Sequence, residues 1–499
     1  MEILEELLLE IVKNRPQTAL ELDKMKRQFL RTHKKEITEI PRKKDLLKVY
    51  HKLLKQNKLK INKSLELLLV KRAVRTLSGV TIITVLTKPF PCPGQCIYCP
   101  DEKRMPKSYI SDEPAAARAL KLHFDPYEQV VRRIQTLKDN GHPTDKIELI
   151  VKGGSWNAYP IAYQYWFILR CFQACNNFGK KRKDQPQTSV EKLCKILQKE
   201  QAKNEKVKNR IIGLTLETRP DMINKKTVLL MRELGCTRME MGVQTIDEHI
   251  LKTVKRGHDV ESVKKATELL RDFGFKVDYH IMPQLPGSTP IADLSMMREI
   301  FNNPAFKPDM IKIYPCTVIE NTELFKWLQK GKYKPYSDKN LIDIIKKIKA
   351  ELPYYVRISR LIRDIPSHHV QAGNKMTNLR QVIQKQMNDD GIKCNCLRCR
   401  EIGHNKKDIG KHVPKLFVDE YSTVGGKEYF ISYEDKNRKI VFGFCRLRIC
   451  QKSKNFTGPF PAYIRELHTY GQLVQIGKKQ NKATQHQGLG KKLVKKAEE

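Results

Sequence analysis

The chain has 499 residues, with 95 Lys or Arg against 55 Asp or Glu and a formal charge of +40. That length predicts two to four domains, and 40% apolar residues exclude a chain disordered throughout. No apolar run approaches the roughly 18 residues of a membrane span, and the N-terminal MEILEELLLE is acidic where a signal peptide is basic. A cytoplasmic protein with a polyanionic partner is expected, because clustered Lys and Arg release counterions from a phosphate backbone.

Residues 1–80 hold twenty Lys or Arg against ten acids. Apolar residues recur at helical spacing in Ile3–Val12, Leu46–Leu54 and Leu65–Val74, which predicts a basic helical segment over 1–78. From Gly79 the texture changes to strands: Val80–Leu86, Ile147–Val151, Ile211–Leu216, Arg238–Val243, Lys276–Met282 and Met310–Tyr314. Helical stretches such as Pro126–Asn140, Lys226–Leu234 and Val260–Phe273 alternate with them. Such alternation predicts parallel βα units, here about six of them, in an α/β partial TIM-type barrel over 79–356. Gln185–Lys208 is polar and Lys-rich and is expected to be an exposed insertion. Residues 357–416 read as a basic, loop-rich linker. From 417 to 499 the strands YFISYED, KIVFGFCRLRI and AYIRELHTYGQLV predict a separate α+β domain with an antiparallel sheet.

Thirteen cysteines in such a chain argue against a disulfide framework and for metal ligation. Two triplets stand out. Cys92-x3-Cys96-x2-Cys99 directly follows the first predicted strand, at the mouth where parallel barrels place their chemistry. Three thiolates on a [4Fe–4S] cube leave one iron open; zinc with a fourth ligand elsewhere is the alternative. The spacing, with the aromatic Tyr98 before the last cysteine, resembles the radical S-adenosylmethionine enzymes. The resemblance implies that the open iron chelates the methionine end of S-adenosylmethionine, and that electron transfer yields a 5′-deoxyadenosyl radical. By the same likeness Gly153 and Gly154 lie where the methionine amine is held, although Ser155 stands where an acid is usual. Glu217, at a strand end, is a candidate for the ribose hydroxyls, with a surface ion pair as the plain alternative. Gln244 and the run Arg256-Gly257-His258 resemble coproporphyrinogen-oxidase-like members.

The C-terminal run Gln485-His486-Gln487-Gly488-Leu489-Gly490 precedes an apolar-periodic helix. A glycine-rich turn feeding a helix N-terminus suits a pyrophosphate. The arrangement resembles the coenzyme A loop of the GNAT acetyltransferases. Glu466, Leu467, His468 and Thr469 then lie on the strand facing the acyl-pantetheine arm; a buried structural role is the alternative for His468.

A radical barrel joined to a GNAT domain resembles the family of the catalytic subunit of Elongator, the tRNA uridine(34) acetyltransferases or carboxymethyluridine synthases. The likeness runs from about Arg75 to the end, through RTLSGVTIITVLTKP, LETRPD, CTRMEMGVQT, IMPQLPG, SRLIRDIP, IRELHTYG and QHQGLG. It implies transfer of a carboxymethyl unit from acetyl-CoA to C5 of the tRNA wobble uridine, with an external reductant for the cluster. Lys146 matches a position that holds acetyl-CoA, and is otherwise a surface lysine. Cys394-x-Cys396-x2-Cys399 is the second triplet. Four-thiolate zinc is the economical reading, with Cys316 the preferred fourth ligand by resemblance and His404 the rival; a second iron–sulfur cluster is the alternative. The remaining six cysteines are expected to be buried small hydrophobes. The chain ends at Glu499, inside the helix after the glycine loop, so an incomplete GNAT domain is expected. A homodimer is left open. Two further readings are a protein lysine acetyltransferase with a merely structural barrel, and a non-catalytic tRNA-binding module regulated by acetyl-CoA.

Overall fold

A computed structural model describes residues 2–34, 36–71, 76, 78–184, 188–404, 413–451, 458–471 and 488–499. Thirteen strands are described: β1 (Thr81–Leu86), β2 (Lys146–Lys152), β3 (Arg210–Thr218), β4 (Arg238–Gln244), β5 (Lys276–Ile281), β6 (Met310–Ile313), β7 (Val318–Ile319), β8 (Arg357–Arg360), β9 (Val370–Ala372), β10 (Lys415–Thr423), β11 (Gly426–Glu434), β12 (Val441–Cys450) and β13 (Ala462–Thr469). Seven form one parallel sheet in the order β1-β2-β3-β4-β5-β6-β8. β10 to β13 form an antiparallel sheet in sequence order. No helix among the described residues is long and apolar enough to cross a membrane.

The helices Glu2–Asn14, Ala19–Thr32, Lys43–Lys55 and Lys63–Leu69 close on a core of their own, including Leu7, Leu22, Phe29, Leu46, Tyr50 and Leu65. In the barrel, strand residues alternate strictly. Ile147, Leu149 and Val151 of β2, Met239 and Met241 of β4, and Val277, Tyr279 and Ile281 of β5 point outward into the apolar layer under the helices. Their neighbours Glu148, Lys152, Arg238, Glu240, Lys276, His280 and Lys312 point inward and line a cavity. A barrel of this type is ordinarily filled by layers of branched apolar side chains. Here many inner positions of β2, β4, β5 and β6 are charged, and a cavity remains between them.

One expectation is corrected and another is refined. The barrel does not end at 356, because Arg357–Arg360 is its seventh strand, with Met310 opposite Arg357 and Ile311 opposite Ile358. The 185–208 stretch lies between two βα units and is mostly exposed over its described residues, as expected, and Val190–Asn204 in it is a helix packed beside the helix Ile161–Asn176. Only Leu193 and Leu197, one turn apart, and Asn204 are buried along it, which explains its polar texture. Cys171, Cys175, Cys236, Cys445 and Cys450 are buried, whereas Cys194 is half-exposed and donates to Glu233 at 2.6 Å.

The antiparallel sheet packs on the N-terminal ends of the barrel strands through buried ions. Arg465 of β13 donates to both Asp309 oxygens (2.6 and 2.7 Å), to Glu428 (2.6 Å) and to the Phe275 carbonyl (2.8 Å). Arg446 reaches Glu466 at 2.9 Å, and Arg448 reaches Asp272 at 2.7 Å. Burial works against the Asp309 carboxylate, but Arg465 and Arg446 outweigh it and hold its pKa down to about 2. Glu401 is likewise held down to about 2 against burial by Arg357 and His404. Their unfolded values are about 3.9 and 4.3. Folded values below the unfolded ones mean stability that is fully present above about pH 4.3 and lost as pH falls toward about 2. Denaturant midpoints should therefore fall through that window; midpoints that stay level there would refute the assignment.

Candidate functional site

The first cysteine triplet sits on the loop after β1. Pro89, Pro91, Pro93 and Pro100 keep this loop out of helix and strand. Backbone bonds pin it: Ile97 N–H donates to the Val254 carbonyl (3.2 Å) and Leu324 N–H to the Ile97 carbonyl (2.9 Å). Cys92, Cys96 and Cys99 all line the barrel cavity, whose volume is about 670 Å³. They are not among the three-donor groups whose ligand atoms lie within 4.8 Å of one another. The three sulfurs are therefore not all gathered within the reach of one ion, although all three face the same cavity.

The polar surroundings fit an anionic guest. Arg256 is buried and donates from Nη1 to Cys96 Sγ at 3.4 Å and from Nη2 to the Gly242 carbonyl. A hydrogen bond with Cys99 draws the Cys96 thiol down to about 5 against the cost of burial, with Arg256 adding to it. His258 accompanies Arg256 on Gly242 (3.3 Å), and burial lowers it to about 4. The Tyr98 hydroxyl, Arg219 Nη1, Arg256 Nε, Thr218 Oγ1 and Gln244 Oε1 are buried without protein partners. Unsatisfied buried groups at a cavity wall are what a polar ligand would satisfy.

Gly153 follows β2 with φ +133°, and a Cβ there would stand 1.8 Å from Thr87 Oγ1. The close approach of that threonine requires the glycine. Gly154 and Ser155 line the cavity, with Ser155 Oγ 3.7 Å from Cys92 Sγ. Glu217 is no surface ion pair. It accepts from Lys152 (2.9 Å) and Tyr109 (3.3 Å) and lies 3.2 Å from His280 Nδ1. His280 Nε2 is 3.1 Å from Glu240, which also contacts Lys152 and Lys312. Glu240 is fully buried; burial opposes its charge, but Lys152 and Lys312 hold its carboxyl well below the usual range. Burial pushes Lys312 down to about 8 despite Glu240, and Lys152 adds to the fall. Sequence reading missed this charged lumen. The signal was present in the alternation of KVDYHI in β5 and MIKI in β6, read for their apolar members alone.

The cavity runs on to the other end of the barrel, where Glu466, Leu467 and His468 of β13 line it. Glu466 contacts Lys276 (3.2 Å), and His468 Nε2 lies 2.8 Å from the Ser78 carbonyl oxygen. Thr469 is not among the lining residues. Lys146 shares the inward face of β2 but starts the strand, away from the cysteines and outside the lining. Gly488 has φ +82° and precedes the helix Leu489–Glu498, in which Gly490 lies; a Cβ at either would meet no atom of the described residues within 4 Å. Gln485, His486 and Gln487 lie outside the described residues.

Cys394, Cys396 and Cys399 bring their sulfurs within 4.8 Å of one another, the reach of one ion. Lys349 Nζ is 3.6 Å from Cys399 Sγ, and the thiols hold its ammonium above its usual range against burial. The preferred fourth ligand is corrected. Cys316 packs among Cys96, Val318, Leu324 and Tyr333 at the other triplet, where burial pushes it up to about 12. His404 turns to Glu401 at 2.8 Å. Neither joins the trio, and no fourth ligand of this kind does so among the described residues.

Residues 91–298 match the radical SAM superfamily and residues 308–389 the Radical_SAM C-terminal domain. The tRNA uridine(34) acetyltransferase of Methanocaldococcus jannaschii is 45% identical, over 86% of this chain and 79% of that relative. Elongator complex protein 3 of Homo sapiens is 36% identical over 86% of this chain and 78% of its own length.

The chain belongs to the Elongator complex protein 3 family.

The solved structure of Methanocaldococcus infernus Elp3 lacking residues 1–46 is similar, with TM-score 0.69 and 41% identity over 85% of this chain and 91% of that one. Membership gives this Elongator-family chain a radical S-adenosylmethionine domain, and with it a [4Fe–4S] cluster and S-adenosylmethionine.

Proposed function

We propose that this chain modifies the wobble uridine of tRNA by radical chemistry, attaching at C5 a carboxymethyl unit drawn from acetyl-CoA. The observation that supports it most is the single cavity reaching from the cysteine loop to β13. Chemistry that unites fragments handled by two domains needs such a shared volume. The names of the 45% and 36% identical relatives point the same way. Dependence on the barrel cysteines sets this reading apart from lysine acetylation, which needs no radical, and turnover sets it apart from a binding module.

Cys92, Cys96 and Cys99 are proposed to hold the [4Fe–4S] cluster, with Gly153, Gly154 and Ser155 beside the methionine end of S-adenosylmethionine. When bound, this pair supplies a 5′-deoxyadenosyl radical. Three partners already occupy three of the about four acceptor positions on Glu217, leaving one for a ribose hydroxyl. Arg256 balances the thiolate charge. Glu466, Leu467 and His468 are proposed to meet the acyl arm of acetyl-CoA, with Thr469 and Lys146 flanking and residues 485–490 taking the pyrophosphate in a GNAT-like manner. A structural zinc is proposed on Cys394, Cys396 and Cys399. The anticodon loop offers unpaired bases that can enter a pocket. Its phosphates are proposed to rest on the basic helical segment, where Arg42, Lys43, Lys44 and Lys71 line a groove of about 530 Å³.

The test is anaerobic turnover of the iron-loaded chain with S-adenosylmethionine, dithionite, acetyl-CoA and tRNA, read by nucleoside mass spectrometry. The expected result is 5-carboxymethyluridine at the wobble position, formed only when all four are present. A chain with a verified cluster that releases no 5′-deoxyadenosine, or leaves the tRNA unmodified, would overturn the proposal.

A further inference from the structure

Outside the cavity lining, Asp112 meets the neighbouring pair His368 and His369. His369 Nε2 lies 2.9 Å and His368 Nε2 3.6 Å from the same oxygen, Asp112 Oδ2. The three donor atoms lie within 4.8 Å of one another, one of two such groups among the described residues. A tetrahedral ion with bonds of about 2.0–2.1 Å sets adjacent donors about 3.3 Å apart, which the two distances straddle. Two imidazoles with one carboxylate suit first-row transition ions, whereas calcium and magnesium prefer all-oxygen shells. The two histidines and Asp112 are solvent-accessible, so an ion can reach them and a water or phosphate oxygen can complete its shell.

The site joins two segments that flank the cavity mouth. Asp112 ends the stretch that follows the cysteine loop, and the histidines form the turn just before β9. Beside them Arg363 already bridges the same segments. It donates to Ser108 Oγ (2.8 Å), to the Ser108 carbonyl (2.6 Å) and to Glu113 (2.7 Å), and lies over the Tyr109 ring. Tyr109 in turn reaches Glu217 inside the cavity.

We propose that Asp112, His368 and His369 bind a divalent first-row transition ion, with zinc as the reference case, which latches residues 100–113 to the 367–369 turn at the cavity mouth. The inference goes beyond the proposed reaction, and its test does not depend on turnover. The full chain, with its iron–sulfur cluster loaded and the Cys394 trio filled, is dialysed anaerobically against Zn²⁺ beside a His368→Ala/His369→Ala variant and an Asp112→Ala variant. All three side chains are accessible, and unchanged iron content checks that each variant folds. The wild-type chain is expected to bind one further equivalent that both variants lose. Zinc is also expected to slow amide hydrogen exchange across residues 100–113 in the wild-type chain only. An equivalent retained by both variants, or no further equivalent in the wild type, would overturn the site. Binding without slower exchange in that segment would overturn the latch.

Discussion

Cys96→Ala should abolish 5′-deoxyadenosine release while leaving the fold in place. Cys96 is the member of its triplet in contact with Arg256, and its thiol is drawn toward ionisation at neutral pH. Removing it takes away one of three cluster anchors and leaves the Arg256 guanidinium facing an uncompensated wall. Groups that act as a unit fail together, so the loss should be on the order of 10³-fold or more, not a graded decline. The measurement is deoxyadenosine release per chain, alongside iron content and the visible absorbance of the cluster. Substantial release from a Cys96→Ala chain would mean that the loop does not hold the catalytic iron.

Asp309→Ala carries the largest expected effect on stability. Asp309 is fully buried and takes both arms of Arg465, with Arg446 at 3.5 Å. The Val277 N–H also donates to it at 2.9 Å. Its loss leaves two buried guanidinium groups with Glu428 and Glu466 as their remaining carboxylate partners, beside the Phe275 and Tyr355 carbonyls. Breaking one partner out of a buried ion pair costs about 3–5 kcal/mol, because the remaining charge keeps its desolvation penalty. Equilibrium denaturation should register that loss. The Asp309→Ala/Arg465→Ala double variant should be less destabilised than the sum of the singles, with a coupling of about 0.5–3 kcal/mol. Strictly additive effects would mean that the two groups do not hold the domains together.

Much of this architecture is legible in the sequence, and the exceptions have physical reasons. The first six barrel strands announce themselves by apolar runs flanked by helical periodicity. RISR (357–360) carries a single apolar residue and becomes a strand because β6 offers it an edge, a tertiary fact without a local signal. The Val190–Asn204 helix hides because Leu193 and Leu197 are its only buried apolar residues, with Val190, Cys194 and Ile196 packed at the margin. Cysteine spacing brings Cys394, Cys396 and Cys399 together within six residues. It says nothing of Cys316, which the end of β6 directs to the opposite triplet. Arg465 and Asp309 are 156 positions apart, and no pattern in one chain pairs them. The inward charges of β4, β5 and β6 were legible as alternation, and only their destination required the fold.

The open barrel interior has a kinetic consequence. With the cysteine loop at one end of the cavity and β13 at the other, the proposed nucleoside and thioester sites lie at opposite ends of one volume. Neither ligand occupies the place of the other, so both can be bound at once. Turnover then passes through a complex holding both, and initial-rate lines should intersect and not run parallel.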